Sequence, residues 1–442
     1  MKKNGLLTLL SIFTLSLLLI GCGNDESEKA SSSQDGDKVT LKFHTWINEN
    51  TGNWEKVIEE FEKAHPDIKI ETEVLVENAD SREYLKKLDL LASSGEQLDV
   101  FMFSSPTDYV KRVDSGLIEP LDSYLEASGL DVTKEYNTPY PAIDGSYYGL
   151  PAKLNTQLVL LNKDHLDEAG LEVPENWTWD DYREYAKALT KEENGKKRYG
   201  SYFHTWPDTY HILKLLSKPE ENSVLKQDGS SNMDDPLVKA SLEYRYLLEN
   251  EDGSSVPLQE TLSQKLNYRQ QFFSGSVSMI PTGSFLITQW GEFKPDFEMV
   301  WAPWPKIDDT DANYYNPSGD IMSIAKKSKH KEEAFEFIRW MTTEGMVVQE
   351  RFIPSWKNAD IEQLIDKLVA STANPEAVDV ESLLYTLENS VAAEPVVPKP
   401  YISEVYDAYN TEAELYLLGS QDLDTSISKA IEKIEQIVYS NK

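Results

Sequence analysis

Between Lys38 and Phe103 the hydrophobic pattern switches repeatedly between two periods, and this most restricts what the chain can fold into. "KVTLKFHTW" alternates Val39, Leu41 and Phe43, the period-two signature of a strand. Trp54, Val57, Ile58 and Phe61 then follow at helical spacing until Pro66 stops the helix, and Ile68, Ile70, Thr72 and Val74 alternate again. Residues 82–94 carry Tyr84, Leu85, Leu88 and Leu91 on one helical face. "DVFMF", Asp99 to Phe103, is a continuous apolar run, as in a strand buried inside a parallel sheet. Strand–helix–strand–helix–strand is an α/β unit with right-handed crossovers, so the expected fold class is α/β and doubly wound.

The pattern continues along the chain. A strand is expected at Leu158–Leu161, and Thr178 reads as the N-cap of a helix whose first turn carries Asp180 and Asp181. "VSMIPTGSFL", "DFEMVWAPWPKI" and "DIMSIAKKS" read as strands, the second ended by Pro303 and Pro305. "KEEAFEFIRWMTTEGMVVQERF" reads as a helix with Gly345 near its middle, and "TSISKAIEKIEQIVYSN" as an amphipathic C-terminal helix. A body of about 400 residues is enough for two domains.

The N-terminus is of another kind. Lys2 and Lys3 precede an apolar run from Leu6 to Ile20, 15 residues long. That is short of the ~20 residues a helix needs to span a bilayer, so residues 1–21 read as an export signal. Cys22 is the only cysteine, and "LIGC" resembles the bacterial lipoprotein signature. The resemblance implies a diacylglycerol on Cys22 and a mature chain anchored to the extracytoplasmic face of the cell membrane. Residues 22–37 then form a linker too polar to bury surface, expected to be disordered.

The formal net charge of -33 repels phosphate backbones and argues against a nucleic-acid partner. One cysteine and six scattered histidines argue against a zinc site, and no G-x-S-x-G, H-E-x-x-H or phosphate loop is present, so no cofactor is expected. Asp309, Asp311, Asn313 and Asp320 have partial calcium-loop spacing, but Tyr314 stands where the sharp turn needs Gly.

Five segments in order carry a family likeness: "FEKAHPDIKIE", "GLPAKLNTQLVLLNKDHLDEAG", "WTWDDYREYAKAL", "FFSGSVSMIPTGSF" and "HKEEAFEFIRWMTTEG". Together they resemble the extracellular solute-binding proteins of ABC importers, in the group that includes maltose-binding protein. The resemblance implies two α/β lobes joined by two or three crossing strands, with the ligand in the cleft between them. Lobe one would be residues 38–154 with 317–350, lobe two residues 155–316 with 351–442, crossing near Leu154 and Ser318. It further implies a monomeric, non-enzymatic receptor that captures a carbohydrate by lobe closure and delivers it to an ABC permease; the several candidate aromatics favour an oligosaccharide over a single sugar. An exported lipoprotein glycosidase is an alternative, since 76 acidic residues supply carboxylate pairs by chance. A surface carbohydrate adhesin, which needs no hinge, is another.

Sugars present apolar C–H faces and a rim of hydroxyls, so the candidates are aromatic and polar residues just after strands. Trp46 follows the first strand, with Glu49 and Asn50 behind it. Ser104 and Ser105 follow "DVFMF". The spacing from Pro151 to Asn162 equals that of the family, which puts Asn155 on a ligand-contacting position and Lys153 two residues earlier. "YFHTWPDTY" resembles a segment bearing a sugar-stacking tyrosine and offers Phe203, His204, Trp206 and Asp208. "SMIPTGSF" places Phe285 on a stacking position, with Gly283 and Ser284 offering backbone N–H groups. Trp304 lies in "APWP". Tyr406, with Tyr409 as runner-up, matches a stacking aromatic on a late helix.

Overall fold

The computed structural model describes residues 38–76, 80–137, 142–193 and 195–441. The export signal, Cys22 and the linker expected over residues 1–37 lie outside the described residues. Twelve strands are described: β1 Val39–Thr45, β2 Ile68–Val74, β3 Val100–Phe103, β4 Leu150–Pro151, β5 Gln157–Asn162, β6 Lys191–Glu193, β7 Lys196–Ser201, β8 Val277–Gly283, β9 Met299–Pro303, β10 Asn313–Tyr315, β11 Ile321–Ile324 and β12 Ser390–Ala392. They form two five-stranded sheets, ordered β2-β1-β3-β11-β4 and β6-β7-β8-β5-β9, and a small pair of β10 with β12.

Both large sheets are mixed, where the sequence pattern suggested parallel ones. β1 is parallel to β2 and β3, but β11 runs antiparallel to β3 and β4. β7 is parallel to β8, but β5 runs antiparallel to both β8 and β9. The reason lies in the route of the chain. It passes between the sheets at the carboxyl ends of β3 and β8, so β5 and β11, each entering straight from a crossing, run backwards against those strands.

The pleat sorts the side chains. Leu158 and Leu160 of β5, with Met299 and Trp301 of β9, enter one core of the second sheet, while Val159, Leu161, Val300 and Ala302 enter the core on its other face. β3 is buried along its whole length in the core of the first sheet, with Leu41 and Phe43 of β1. Among the described residues no helix is long and apolar enough to cross a membrane.

Helix boundaries follow local chemistry. Thr178 caps helix Trp179–Leu189 in a reciprocal box: the Asp181 N–H donates to its hydroxyl oxygen at 3.2 Å, and its own N–H donates to the Asp181 carboxylate at 2.8 Å. Such a cap is worth about 1 kcal/mol. The helix expected around Gly345 runs Lys331–Trp340, widens through a π turn at Met341–Gly345 and ends at Gln349. A Cβ on Gly345 would stand 2.8 Å from the Trp340 ring, so glycine lets the indole lie against the widened turn.

Three chain segments cross between the sheets side by side. The Leu154 N–H donates to Ile353 O (2.8 Å), the Asn155 N–H to Ser318 O (2.7 Å) and the Ala152 N–H to Asp320 O (2.8 Å). The segments touch so closely that a Cβ on Gly319 would come within 1.8 Å of Lys153 O.

Candidate functional site

Strand register decides which loops meet at the crossings. Phe103, the last residue of β3, pairs with Ile321, which in turn pairs with Pro151. In the second sheet Gln157, just past the crossing, pairs with Gly283, the last residue of β8. The loops after β1, β3, β7 and β8 therefore open at the end where the chain passes between lobes. In an open α/β sheet that is the end where ligands bind.

The wall on the second lobe is aromatic. β7 ends at Ser201, the next residues leave the sheet, and Pro207 starts a helical turn, Pro207–Tyr210. The Tyr210 hydroxyl donates to Pro281 O at 2.7 Å, tying this turn to the end of β8. Trp206 is left 38% exposed. Its ring centroid lies 4.5 Å from His204, 5.5 Å from Tyr268 and 6.0 Å from Phe285. Phe285, half-buried in the turn after β8, packs against Gly283, where a Cβ would stand 3.0 Å from its ring.

A polar group adjoins this wall. Helix Ile402–Leu417 carries Tyr406 and Asn410 one turn apart, on the same face. Asn410 Nδ2 donates to Asp208 Oδ1 at 2.8 Å, and the half-buried Tyr406 hydroxyl lies 3.3 Å from Ser223 Oγ. Asp208 is open to solvent yet hemmed in by protein, as a residue on a cleft wall is. This crowding holds its carboxyl above the usual range; the Asn410 hydrogen bond and Arg82 pull it back, while Asp407 and Asp108 push it further up. Arg82 and Asp108 belong to the first lobe, so the two walls are near enough for their charges to be felt across the gap.

Of the residues singled out in the sequence, Trp206, Asp208, Phe285 and Tyr406 come together on this wall. Glu49 and Asn50 stay exposed on the first lobe, where the Glu49 carboxylate accepts from the Glu55 N–H. Ser104 and Ser105 are half-buried, and Ser105 caps the following helix by accepting the Asp108 N–H at 3.2 Å. Asn155 lies at the crossing with its Oδ1 buried and unpartnered.

Others are occupied elsewhere. Trp46 is buried against Tyr84 at 5.3 Å. Phe203 is buried in the core of the second lobe, as are Trp304 and Tyr409. The Ser284 N–H donates to Thr156 O at 2.9 Å, and its hydroxyl accepts the Thr156 N–H at 3.1 Å, so its donors brace the crossing. Lys153 is paired with Asp320, which also takes Asp320 out of the partial calcium loop. Tyr268, Asn410 and Arg82 escaped the sequence reading. Tyr268 opens a short helix capped by Asn267 and adjoins no strand end in sequence, so only packing brings it to Trp206.

A cavity of about 770 Å³ lies away from this region, between residues 95–99, 115–117 and 327–330. Those loops precede β3 and follow β11, which puts the cavity at the opposite end of the first sheet. Its buried charges are already matched: Asp99 Oδ1 accepts from Ser328 at 2.6 Å, and Arg112 pairs with Asp89 at 2.8 Å. The aromatic wall with its exposed Trp206, at the end of the sheet where the crossing holds the unpartnered Asn155, is the better candidate. Among the described residues no cluster of three histidine, cysteine, aspartate or glutamate side chains could hold a metal.

Comparison with known proteins agrees with this architecture. A binding protein of Brucella abortus (strain 2308) is 25% identical over 99% of this chain and 98% of its own. The multiple sugar-binding protein of Streptococcus mutans is 27% identical over 77% of this chain and 79% of its own. The structure of an ABC substrate-binding protein from Listeria monocytogenes, in complex with cycloalternan, superposes with a TM-score of 0.73 at 20% identity, covering 90% of this chain and 99% of that one. The family model for bacterial extracellular solute-binding proteins matches residues 47–348. The chain belongs to the bacterial extracellular solute-binding proteins.

Proposed function

We propose that the protein captures an oligosaccharide in the cleft between its lobes and delivers it to an ABC permease, as a monomer held to the outer face of the membrane by a lipid on Cys22. The observation that carries this is the wall at the carboxyl ends of β7 and β8. There an exposed Trp206 and a half-buried Phe285 offer flat apolar faces beside the carboxylate of Asp208. Rings of this kind lie on sugar C–H faces, and a carboxylate accepts sugar hydroxyls. The Streptococcus relative, a multiple sugar-binding protein, and the Listeria structure holding cycloalternan point to the same ligand class.

Glu49, Asn50, Ser104, Asn155 and Tyr406 are the polar and aromatic groups we assign to the ligand alongside Trp206, Asp208 and Phe285. The lobes we assign are residues 38–154 with 317–350, and 155–316 with 351–442. A ligand touching both favours the closed arrangement and shifts the population toward it. The protein returns its ligand unchanged.

A thermal-shift screen against a carbohydrate library tests the reading, since a ligand at 100 times its dissociation constant adds about 2.7 kcal/mol of stability. Small-angle scattering with the hit should show a smaller radius of gyration. A radius unchanged at saturation would favour a rigid adhesin, and shortened oligosaccharide products would favour a glycosidase.

A further inference from the structure

Beneath Trp206 lies an anomaly. His204 is 1% exposed, and neither of its ring nitrogens has a hydrogen-bond partner. The imidazole is enclosed by flat rings: Tyr268 at 4.0 Å with 22° between planes, Tyr210 at 5.0 Å with 5°, and Trp206 at 4.5 Å with 46°. Buried polar side chains are nearly always hydrogen-bonded, because a lost bond to water is not regained. A phenyl ring would fill this stack without that cost, so packing alone does not account for an imidazole here.

The surroundings point the same way. Thr282 Oγ1 and Asn155 Oδ1 are also buried and unpartnered. Thr282 follows Pro281, the residue that accepts from Tyr210, and Asn155 lies two residues before Gln157, which pairs with the end of β8. Three unmatched polar side chains thus belong to segments at one end of one sheet, the end at which Trp206 is exposed.

We infer that His204 is a specificity-determining residue of the cleft: when Trp206 lifts off it, the neutral imidazole offers one N–H donor and one nitrogen acceptor to adjacent hydroxyls of the bound saccharide. This rests on the saccharide reading above and names the group that selects the sugar. Either neutral tautomer presents one donor and one acceptor, the complement of two neighbouring hydroxyls. Burial, with a smaller push from Arg269, keeps the ring from taking up a proton. Trp206 is the ring that must move, because it covers His204 while remaining open to solvent itself. The ligand class is an uncharged polyol with adjacent hydroxyls.

The test uses the full chain, two variants and three probes: maltotriose, mannotriose and cycloalternan. His204→Phe keeps a flat ring in the stack and removes both nitrogens; His204→Asn keeps one donor and one acceptor. Calorimetry should find a probe that binds the native protein. His204→Phe should weaken that probe about tenfold or more, the loss of a paired hydrogen-bonding site, and His204→Asn should recover most of the affinity. Without ligand, His204→Phe should melt at or above the native temperature, because it deletes an unmatched polar group. Unchanged affinity in His204→Phe would overturn the assignment while leaving the saccharide site standing. A lowered melting temperature in His204→Phe with affinity unchanged in both variants would make the residue structural. If neither these probes nor the carbohydrate library yields a ligand for the native protein, the saccharide reading and this assignment fall together.

Discussion

Lys153 Nζ lies 3.1 Å from Asp320 Oδ2, and both side chains are buried where the chain crosses between the lobes. The ammonium also stands 4.8 Å from the centre of the Phe352 ring. Each of these residues comes from a different crossing segment, so one buried charge pair and one ring clamp the three segments together.

Breaking that pair should be costly, and removing it whole should not. Lys153→Met or Asp320→Asn leaves a buried polar group without its partner, and each should cost about 3–5 kcal/mol in urea unfolding. The double variant should recover most of the loss. Additive losses in the double variant would show that the two residues act separately.

The two Trp–Pro dipeptides should behave oppositely. Trp304 is 0% exposed and packs edge-on against Trp179 at 5.3 Å, so Trp304→Ala should lose about 3–5 kcal/mol of stability. Trp206→Ala and Phe285→Ala should unfold near the native midpoint and bind the sugar more weakly. Tyr406→Ala should also weaken binding. Calorimetry and denaturant unfolding on the same preparations separate the two outcomes.

Asp208 should leave a pH signature. Its folded carboxyl sits above its ordinary range, so the fold prefers the protonated form. The resulting stability is present at acid pH and lost as pH rises through the raised value. Asp208→Asn mimics the protonated form and should melt slightly above the native protein at pH 7. The difference should stay within about 1 kcal/mol, because the group is exposed to water. The gap should close on acidification; a gap that widens toward low pH would contradict the sign.

Cys22→Ser should move the protein from the membrane fraction to the soluble fraction while leaving its circular dichroism unchanged. The motive is the position of the only cysteine directly after "LIG". Continued membrane fractionation would remove the lipid anchor from the account.

Much of this molecule could be read from local order. β1, β2, β5 and the helix begun by Thr178 stand where periodicity and capping put them, because a strand's alternation and a helix's cap are settled within a few residues. The chain also carried its family likeness in short ordered segments. Tertiary structure alone decided the rest. β5 and β11 run antiparallel to their neighbours because the chain enters both sheets from the crossings, which no local pattern records. Tyr268 joins Trp206 from a helix more than 60 residues away in sequence. Trp206 and Trp304 each precede a proline just past a strand end, yet one faces solvent and the other is sealed in a core. Trp179, the first residue of helix Trp179–Leu189, packs edge-on against Trp304, while the loop holding Trp206 opens at the end of the sheet where the chain crosses between lobes. Burial is a property of what packs from elsewhere in the chain, and identical dipeptides carry no information about it.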